Sequence, residues 1–379
     1  MSAFAFGVFE RPGERPRVGA RAGESVLDLA AALGDEVFAE PALNAFMAQG
    51  RARWTAVREQ VAELLDGGRG AERWLLPLAG VRLRLPFQVA DYVDFYASEH
   101  HARNLGRILR PGAEELAPNW RHLPVGYHGR AGTVAVSGTP VRRPCGQYLD
   151  DAGRPVFGPT RRLDVEAEVG MVVGVPSEPG RPVAVDAIRE HVFGVVLVND
   201  WSARDIQAWE SRPLGPFLAK SFATSISAWV VPLDDLEKAM VTPPAQDPEP
   251  LPYLRGRADW ALDLTLQVRL NGHVVSRPPF AGMYWTPAQQ LAHMTSNGAG
   301  LRTGDLYASG TVSGPARDQR GSLIELSWNG TEPLELPDGS TRTFLEDGDS
   351  VTITASVPGV GNELGEVTGT VRPASCPAR

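Results

Sequence analysis

The segment Leu163-Asp164-Val165-Glu166-Ala167-Glu168-Val169 sets apolar residues at odd positions and carboxylates at even ones. A period of two marks a β-strand and puts Asp164, Glu166 and Glu168 on one face. Same-face neighbours stand about 6.5–7 Å apart. Two unit charges at that distance repel by about 2–3 kcal/mol at an effective dielectric of about 20. A chain can carry such a row on a face open to water or on a face that binds a cation. For the strand alone, the wet face is the simpler expectation. If a cation is bound, carboxylate oxygens suit Mg²⁺, Ca²⁺ or Mn²⁺ rather than zinc.

The chain has 379 residues, enough for one large or two ordinary domains. Its 43% apolar and 22% charged residues are those of a soluble globular protein. A net charge of −8 excludes the basic face that nucleic acid requires. No run of about 18 apolar residues occurs, so no helical membrane span is expected. Met1–Phe9 has neither the basic nor the long apolar region of a signal peptide. Cys145 and Cys376, the only cysteines, make no disulfide framework and no thiolate metal site, and the chain reads as cytoplasmic. Its 40 glycines and 32 prolines are spread out, which predicts short turns between strands rather than a few long helices.

Up to about residue 86, strand-like Phe4, Phe6 and Val8 precede Trp54, Val57, Val61, Leu64 and Leu65 at helical spacing. Gly67-Gly68-Arg69-Gly70 ends that helix, and the segment reads as an accessory domain. From residue 87 the chain reads as mostly β. Val195–Val198 is a buried strand. Leu262–Leu270 and Val351–Ala355 alternate as half-buried strands. Asp338-Gly339 and Asp347-Gly348 are hairpin-like turns. Gly359-Val360-Gly361 resembles the start of a dinucleotide fingerprint, but the third glycine is misplaced, so no such site is expected.

Several segments carry candidate chemistry. Asp200 follows the buried strand directly, where it is either a site acid or the N-cap of a helix whose one face carries Asp200, Arg204 and Gln207. Lys220 lies alone in the apolar loop Pro213–Phe222; it either snorkels to solvent or serves as a desolvated oxyanion partner. Asp91–His101 combines acids, tyrosines and two adjacent histidines. Adjacent side chains diverge, so at most one histidine serves as a base, and a structural hydrogen bond is the plainer role. Ala308–Pro315 is a small-residue turn that lets backbone approach a ligand, or a plain hairpin loop. Glu325 interrupts an apolar stretch, Ser322–Trp328, that reads as a strand. If buried it needs a partner, for which histidine is suited; on a wet face it needs none.

Together these segments resemble the fumarylacetoacetase family. The likeness spans nearly the whole chain and is densest from about 91 to 355. It rests on Asp91-Tyr92 with Asp94-Phe95-Tyr96, on Pro118-Asn119-Trp120, and on His122-Leu123-Pro124-Val125-Gly126-Tyr127-His128-Gly129-Arg130. Asn199–Gln207 and Pro213-Leu214-Gly215-Pro216-Phe217 continue it. The resemblance implies a mostly β (α+β) fold and a homodimer. A small N-terminal SH3-like barrel (residues 1–86) would precede a larger C-terminal mixed β-roll catalytic domain (87–379). It implies Ca²⁺ or Mg²⁺ held by Asp94, Glu166, Glu168 and Asp200, with Lys220 and Thr224 beside the site, and leaves Asp164 as a structural carboxylate. His101, oriented by Glu325, would activate water. Arg204, Gln207 and Lys220 would hold the oxyanion. Tyr96, Arg110, Tyr127, Gln207 and Thr311 would contact substrate.

The implied reaction is hydrolysis of a carbon–carbon bond in 4-fumarylacetoacetate, giving fumarate and acetoacetate, the last step of tyrosine and phenylalanine breakdown. Related acylpyruvate hydrolases, decarboxylases and isomerases share the acidic site, so the strand at 163–169 does not separate them. The His101–Glu325 pair and the large N-terminal segment favour the hydrolase. A non-enzymatic Ca²⁺-stabilised β module would explain the acids but not the basic residues among them. Position 211 is Ser where animal members carry a substrate-contacting Tyr, which implies that the carboxylate end of the substrate is held differently. Ala219 replaces a Gly beside Lys220, a milder change.

Overall fold

The computed structural model describes residues 4–66, 70–257, 260–358 and 364–376. The N-terminal segment contributes β1 (Phe6–Glu10), β2 (Arg17–Ala22), β3 (Ser25–Asp28) and α1 (Arg51–Leu65). Next come β4 (Tyr92–Phe95), α2 (Glu99–Leu109), β5 (Gly126–His128), β6 (Cys145–Leu149), β7 (Ala167–Val173) and β8 (Val192–Asp200). They are followed by α3 (Arg204–Glu210), β9 (Thr224–Ile226), β10 (Trp229–Pro232), β11 (Thr265–Leu270) and β12 (Leu306–Ala308). The last elements are α4 (Leu323–Leu326), β13 (Ser350–Ser356) and β14 (Glu366–Arg372).

One thirteen-stranded sheet runs through both halves of the chain, in the order β3-β2-β1-β10-β8-β7-β12-β4-β5 along its main path. The β12–β4 pairing is parallel, and β7–β8 is antiparallel. β1 joins the halves directly, with Phe6 opposite Val230 of β10. β1 shares that edge between β10 and Arg82–Arg84, and no closed barrel forms among the described residues. The fold is mixed α/β and sheet-rich, with an N-terminal segment leading into a larger C-terminal part.

The sheet has core on both faces, which is why β7 and β8 are buried at every residue and read as continuous rather than alternating. One face carries Val169, Met171, Val195 and Leu197; the other carries Val172, Val196, Val198, Tyr92 and Leu306. α1 lays Trp54, Val57 and Val61 onto this second face, as its spacing predicts. A separate sheet pairs β11, β13 and β14, with Leu266, Val268, Leu270, Val351 and Ile353 turned inward. The expected strand at 262–270 is interrupted, since Leu262 pairs instead with Met240. Asp338-Gly339 does close a short hairpin. Asp347-Gly348 does not: Gly348 donates its N–H to Val371 of β14. Gly67–Arg69 and Gly359-Val360-Gly361 lie outside the described residues.

The two cysteines are joined: Cys145 of β6 is disulfide-bonded to Cys376, across 231 residues of sequence. The expectation of no disulfide framework is therefore corrected to a single bridge. Two cysteines that far apart in sequence carry no spacing signal; β14 brings the C-terminal tail to Val141–Arg142, next to β6. Loop-closure entropy for a ring of that size corresponds to about 5 kcal/mol as an upper figure. Reduction with dithiothreitol, or Cys145→Ser, is expected to lower Tm by several degrees. An unchanged melting curve after complete reduction would count against the bridge.

Candidate active site

The second face of the large sheet is apolar until its end, where three acids replace the aliphatic residues. Their parity places them there: Glu168 stands opposite Val198, Asp200 is two residues beyond Val198, and Asp94 stands opposite Ala308. Glu166 joins them from the turn before β7, where it makes an isolated bridge to Ser322. One oxygen from each of Asp94, Glu166, Glu168 and Asp200 lies within 4.8 Å of the others. The wet face expected for this strand is corrected: Asp164, Glu166 and Glu168 are 0%, 3% and 0% exposed.

Asp164 belongs to a different arrangement. Its oxygens accept from the backbone N–H groups of Leu323 and Ile324, at 2.7 and 3.1 Å, and from Arg204 Nε at 2.7 Å. Arg204 Nη2 donates to Glu166 Oε1 at 2.7 Å, and Lys220 Nζ donates to Glu166 Oε2 and, at 2.8 Å, to Asp200 Oδ2. Asp200 is thus the end of a strand paired with Lys220, not a helix cap paired with Arg204; the N-cap of α3 is Ala203. Lys220 is buried and does not snorkel. Thr224 Oγ1 donates to Asp200 Oδ1 at 3.2 Å. The Tyr127 hydroxyl lies 2.8 Å from Asp94 Oδ2 and 3.1 Å from Asp200 Oδ2.

Five buried carboxyl groups therefore face two buried cations, which would leave an excess of three negative charges were all five ionised. Burial, and then the charges of Asp94, Glu166 and Asp200, push the Glu168 carboxyl well above its ordinary range. Burial and Asp200 do the same to Asp94, and burial raises Asp200 despite Lys220. Burial also acts on Glu166, but Arg204 and Lys220 outweigh it and hold this carboxyl low. Both oxygens of Glu168 and Oδ1 of Asp94 are buried with no hydrogen-bond partner among the described residues. Unpartnered buried carboxylate oxygens are costly unless something compensates them. A hard divalent ion fits this donor set, since ligand bonds of about 2.0–2.6 Å span such a group of oxygens.

His101 lies in the first turn of α2, where Ser98 Oγ caps its backbone N–H at 3.2 Å. Its Nδ1 is 2.7 Å from Glu325 Oε2, and its Nε2 is 3.9 Å from Glu166 Oε1. His100 is turned partly to solvent, so only one of the adjacent pair enters the site. Glu325 is fully buried and also accepts from Asn104 Nδ2 (2.9 Å), Ser313 Oγ (2.9 Å) and Ser322 Oγ (2.7 Å). Burial alone would raise this carboxyl; His101 and the other donors bring it below its ordinary value. The expected strand at Ser322–Trp328 is corrected to the short helix α4, whose first N–H groups, those of Leu323 and Ile324, are accepted by Asp164. The pattern Ser322-x-x-Glu325 has the spacing of a capping box, but the Ser322 hydroxyl donates to Glu325 Oε2 instead of accepting a backbone N–H. Asn104, Ser313 and Ser322 were not singled out; as ordinary polar residues, they reveal their role only when Glu325 is seen to be buried.

A cavity of 330 Å³ opens on this group, walled by His101, Glu166, Arg204, Gln207, Lys220 and Thr311. Tyr96 and Tyr127 also line it, with the Tyr96 ring edge-on to His101 at 5.3 Å between centroids. Arg204 Nη1 donates to Gln207 Oε1 at 3.1 Å. Thr311 Oγ1 is buried and unpartnered among the described residues. The loop before it is no plain hairpin: Gly310 has φ of +75°, and a Cβ there would lie 2.1 Å from the Phe95 carbonyl oxygen. Arg110 stands apart, on an outer cavity of 720 Å³ that also has Ser211 in its wall.

Residues 4–86 match the family described as "Fumarylacetoacetase N-terminal" and residues 91–372 the one described as "Fumarylacetoacetate (FAA) hydrolase C-terminal". The chain is 45% identical to human fumarylacetoacetase over 401 aligned positions, covering 98% of this chain and 96% of the relative. It is 43% identical to the rice fumarylacetoacetase, with 97% and 93% covered. Among solved structures, a fumarylacetoacetate hydrolase from Exiguobacterium antarcticum matches in fold, with a TM-score of 0.60 at 18% identity, covering 98% of this chain and 100% of that one. Among the described residues no helix is long and apolar enough to cross a membrane. With both family regions present and close relatives aligned end to end, the chain belongs to the fumarylacetoacetate hydrolase family.

Proposed function

We propose that this cavity hydrolyses 4-fumarylacetoacetate to fumarate and acetoacetate, with residues 1–86 as an accessory domain and 87–379 as the catalytic one. The observation that carries the proposal is the buried His101–Glu325 pair opening onto a four-carboxylate cluster, in a chain 45% identical to human fumarylacetoacetase. Asp94, Glu166, Glu168 and Asp200 would hold Ca²⁺ or Mg²⁺. When bound, the ion supplies Lewis acidity to the diketone oxygens and offsets most of the buried negative charge.

The side chains do the rest. Glu325 accepts the Nδ1 proton of His101, which leaves the Nε2 lone pair on the side of Glu166, facing the cavity. Nε2 takes a proton from water as the oxygen bonds to the carbonyl carbon. The oxyanion that forms meets Lys220 and Arg204, whose acidic neighbours outweigh burial and keep both charged. Gln207 spends its carbonyl oxygen on Arg204 and keeps its amide N–H groups for the oxyanion. When the carbon–carbon bond breaks, its electron pair leaves with the acetoacetate fragment. The imidazolium of His101 returns the proton that restores the ketone. Tyr96, Arg110, Tyr127 and Thr311 contact substrate.

An absorbance assay tests this reading. The enzyme is expected to consume fumarylacetoacetate, to stop after EDTA treatment and to recover with Mg²⁺ or Ca²⁺. Faster turnover of a simple acylpyruvate would move the assignment to a related diketo-acid hydrolase. Turnover of neither substrate by metal-loaded protein would end the enzymatic reading.

A further inference from the structure

Asp164 offers no oxygen to the four-acid cluster and lines no part of the cavity above it, yet it is fully buried. Its hydrogen-bond partners are all N–H donors. Oδ1 accepts from the backbone of Val165 at 2.8 Å and of Leu323 at 2.7 Å. Oδ2 accepts from the backbone of Ile324 at 3.1 Å and from Arg204 Nε at 2.7 Å. Leu323 and Ile324 open α4, directly before Glu325, which orients His101. Arg204 opens α3 and faces the oxyanion. One carboxyl group thus touches the supports of both the base and the oxyanion partner.

Each support needs it. α4 is a single turn of four residues, and no side chain of its own segment caps it, because the Ser322 hydroxyl donates to Glu325. The first N–H groups of a helix have no partner within it. Asp164 supplies that acceptor from 159 residues away. Arg204 is divided three ways, with Nε on Asp164, Nη2 on Glu166 and Nη1 on Gln207. The planar fork of arginine favours gripping one carboxylate with two N–H groups. By holding Nε, Asp164 keeps the fork from closing on both oxygens of Glu166 and leaves Oε2 to Lys220. We infer that Asp164 is a positioning residue for the reaction, which fixes Arg204 and the Glu325–His101 pair against each other. The inference rests on the hydrolase reading of the same cavity.

The test uses full-length enzyme at saturating Mg²⁺. Asp164→Asn keeps the shape, but its NH₂ group meets two N–H donors whichever way the amide turns. The Ala167 N–H still donates to the Gly321 carbonyl oxygen and the Leu345 N–H to that of Leu163, so the segments should stay joined. Asp164→Asn should lower kcat on fumarylacetoacetate by about 10- to 100-fold, the scale of a displaced catalytic group, with KM nearly unchanged. In an Arg204→Met background the same change should lower kcat by a smaller factor, because part of its route is already cut. Imidazole ¹⁵N spectra give a readout apart from turnover. Wild type should show His101 protonated at Nδ1, and Asp164→Asn a mixture of tautomers as Glu325 loosens. Wild-type kcat in folded Asp164→Asn would overturn the inference, as would a loss that multiplies in full in the Arg204→Met background with the His101 spectrum unchanged. If the single variant does not fold, the spectra of Arg204→Met and of the double variant, in which the buried charge leaves with its partner, decide instead. If wild-type enzyme does not turn over fumarylacetoacetate, the hydrolase reading fails, and the spectra still decide whether Asp164 sets the Glu325–His101 pair.

Discussion

His101→Ala is expected to lower kcat on fumarylacetoacetate by about 10²–10⁴-fold, the range a positioned general base supplies, or about 2.7–5.5 kcal/mol in the barrier. The geometry explains why the loss falls on kcat. His101 is the one imidazole in the cavity wall, and Glu325 holds its Nδ1 at 2.7 Å, so the ring has one orientation and one tautomer with a free lone pair toward the cluster. Substitution leaves the four acids of the cluster in place. It leaves Glu325 with its three other donors, Asn104, Ser313 and Ser322. Mg²⁺ and Ca²⁺ affinity should therefore stay near wild type, and the fold should persist in circular dichroism. Glu325→Gln should reproduce most of the defect, because an amide at this position can present its N–H to the wrong imidazole nitrogen. Near wild-type turnover by His101→Ala would remove the base assignment.

Glu168→Gln should abolish metal-dependent activity while making the metal-free protein no less stable. Glu168 is wholly buried, neither oxygen has a partner among the described residues, and Asp94, Glu166 and Asp200 crowd it with like charge. In metal-free protein an ionised Glu168 is a liability, and a neutral amide of the same shape relieves it. With metal present, the same substitution removes an anionic ligand. Thermal shift separates these effects. Wild type should gain Tm on adding Mg²⁺ or Ca²⁺, the Gln variant should gain little, and in EDTA the variant should melt at or above wild type. Unchanged Ca²⁺ and Mg²⁺ affinity by calorimetry would exclude Glu168 from the ligand set.

Period-two and 3.6-residue patterns are local, and they were legible where one environment covers a whole element. Val195–Val198 reads as buried because both faces of β8 carry core, and Val351–Ala355 alternates because β13 has one face inward. Trp54, Val57 and Val61 follow α1 for the same reason. The Ser322–Trp328 stretch misled because four residues of helix and four of strand have the same apolar content, and the helix start is held by Asp164, far away in sequence.

By itself the sequence determined the chemical inventory: carboxylates alternating at 164, 166 and 168, an acid at the exit of a buried strand, one lysine in an apolar loop, two adjacent histidines. Long strings such as His122–Arg130 carried the family resemblance. The tertiary structure alone decided which of these groups meet and whether water reaches them. It divided three carboxylates that periodicity makes equivalent. Asp164 went to Arg204 and the backbone of α4, Glu166 went between Arg204 and Lys220, and Glu168 was left without a partner among the described residues. It also tied Cys145 to Cys376 and chose His101 over His100. The physical reason is that burial and charge pairing arise from segments far apart in the chain. The cost of a desolvated charge, and hence its use, is set by neighbours that local sequence does not name.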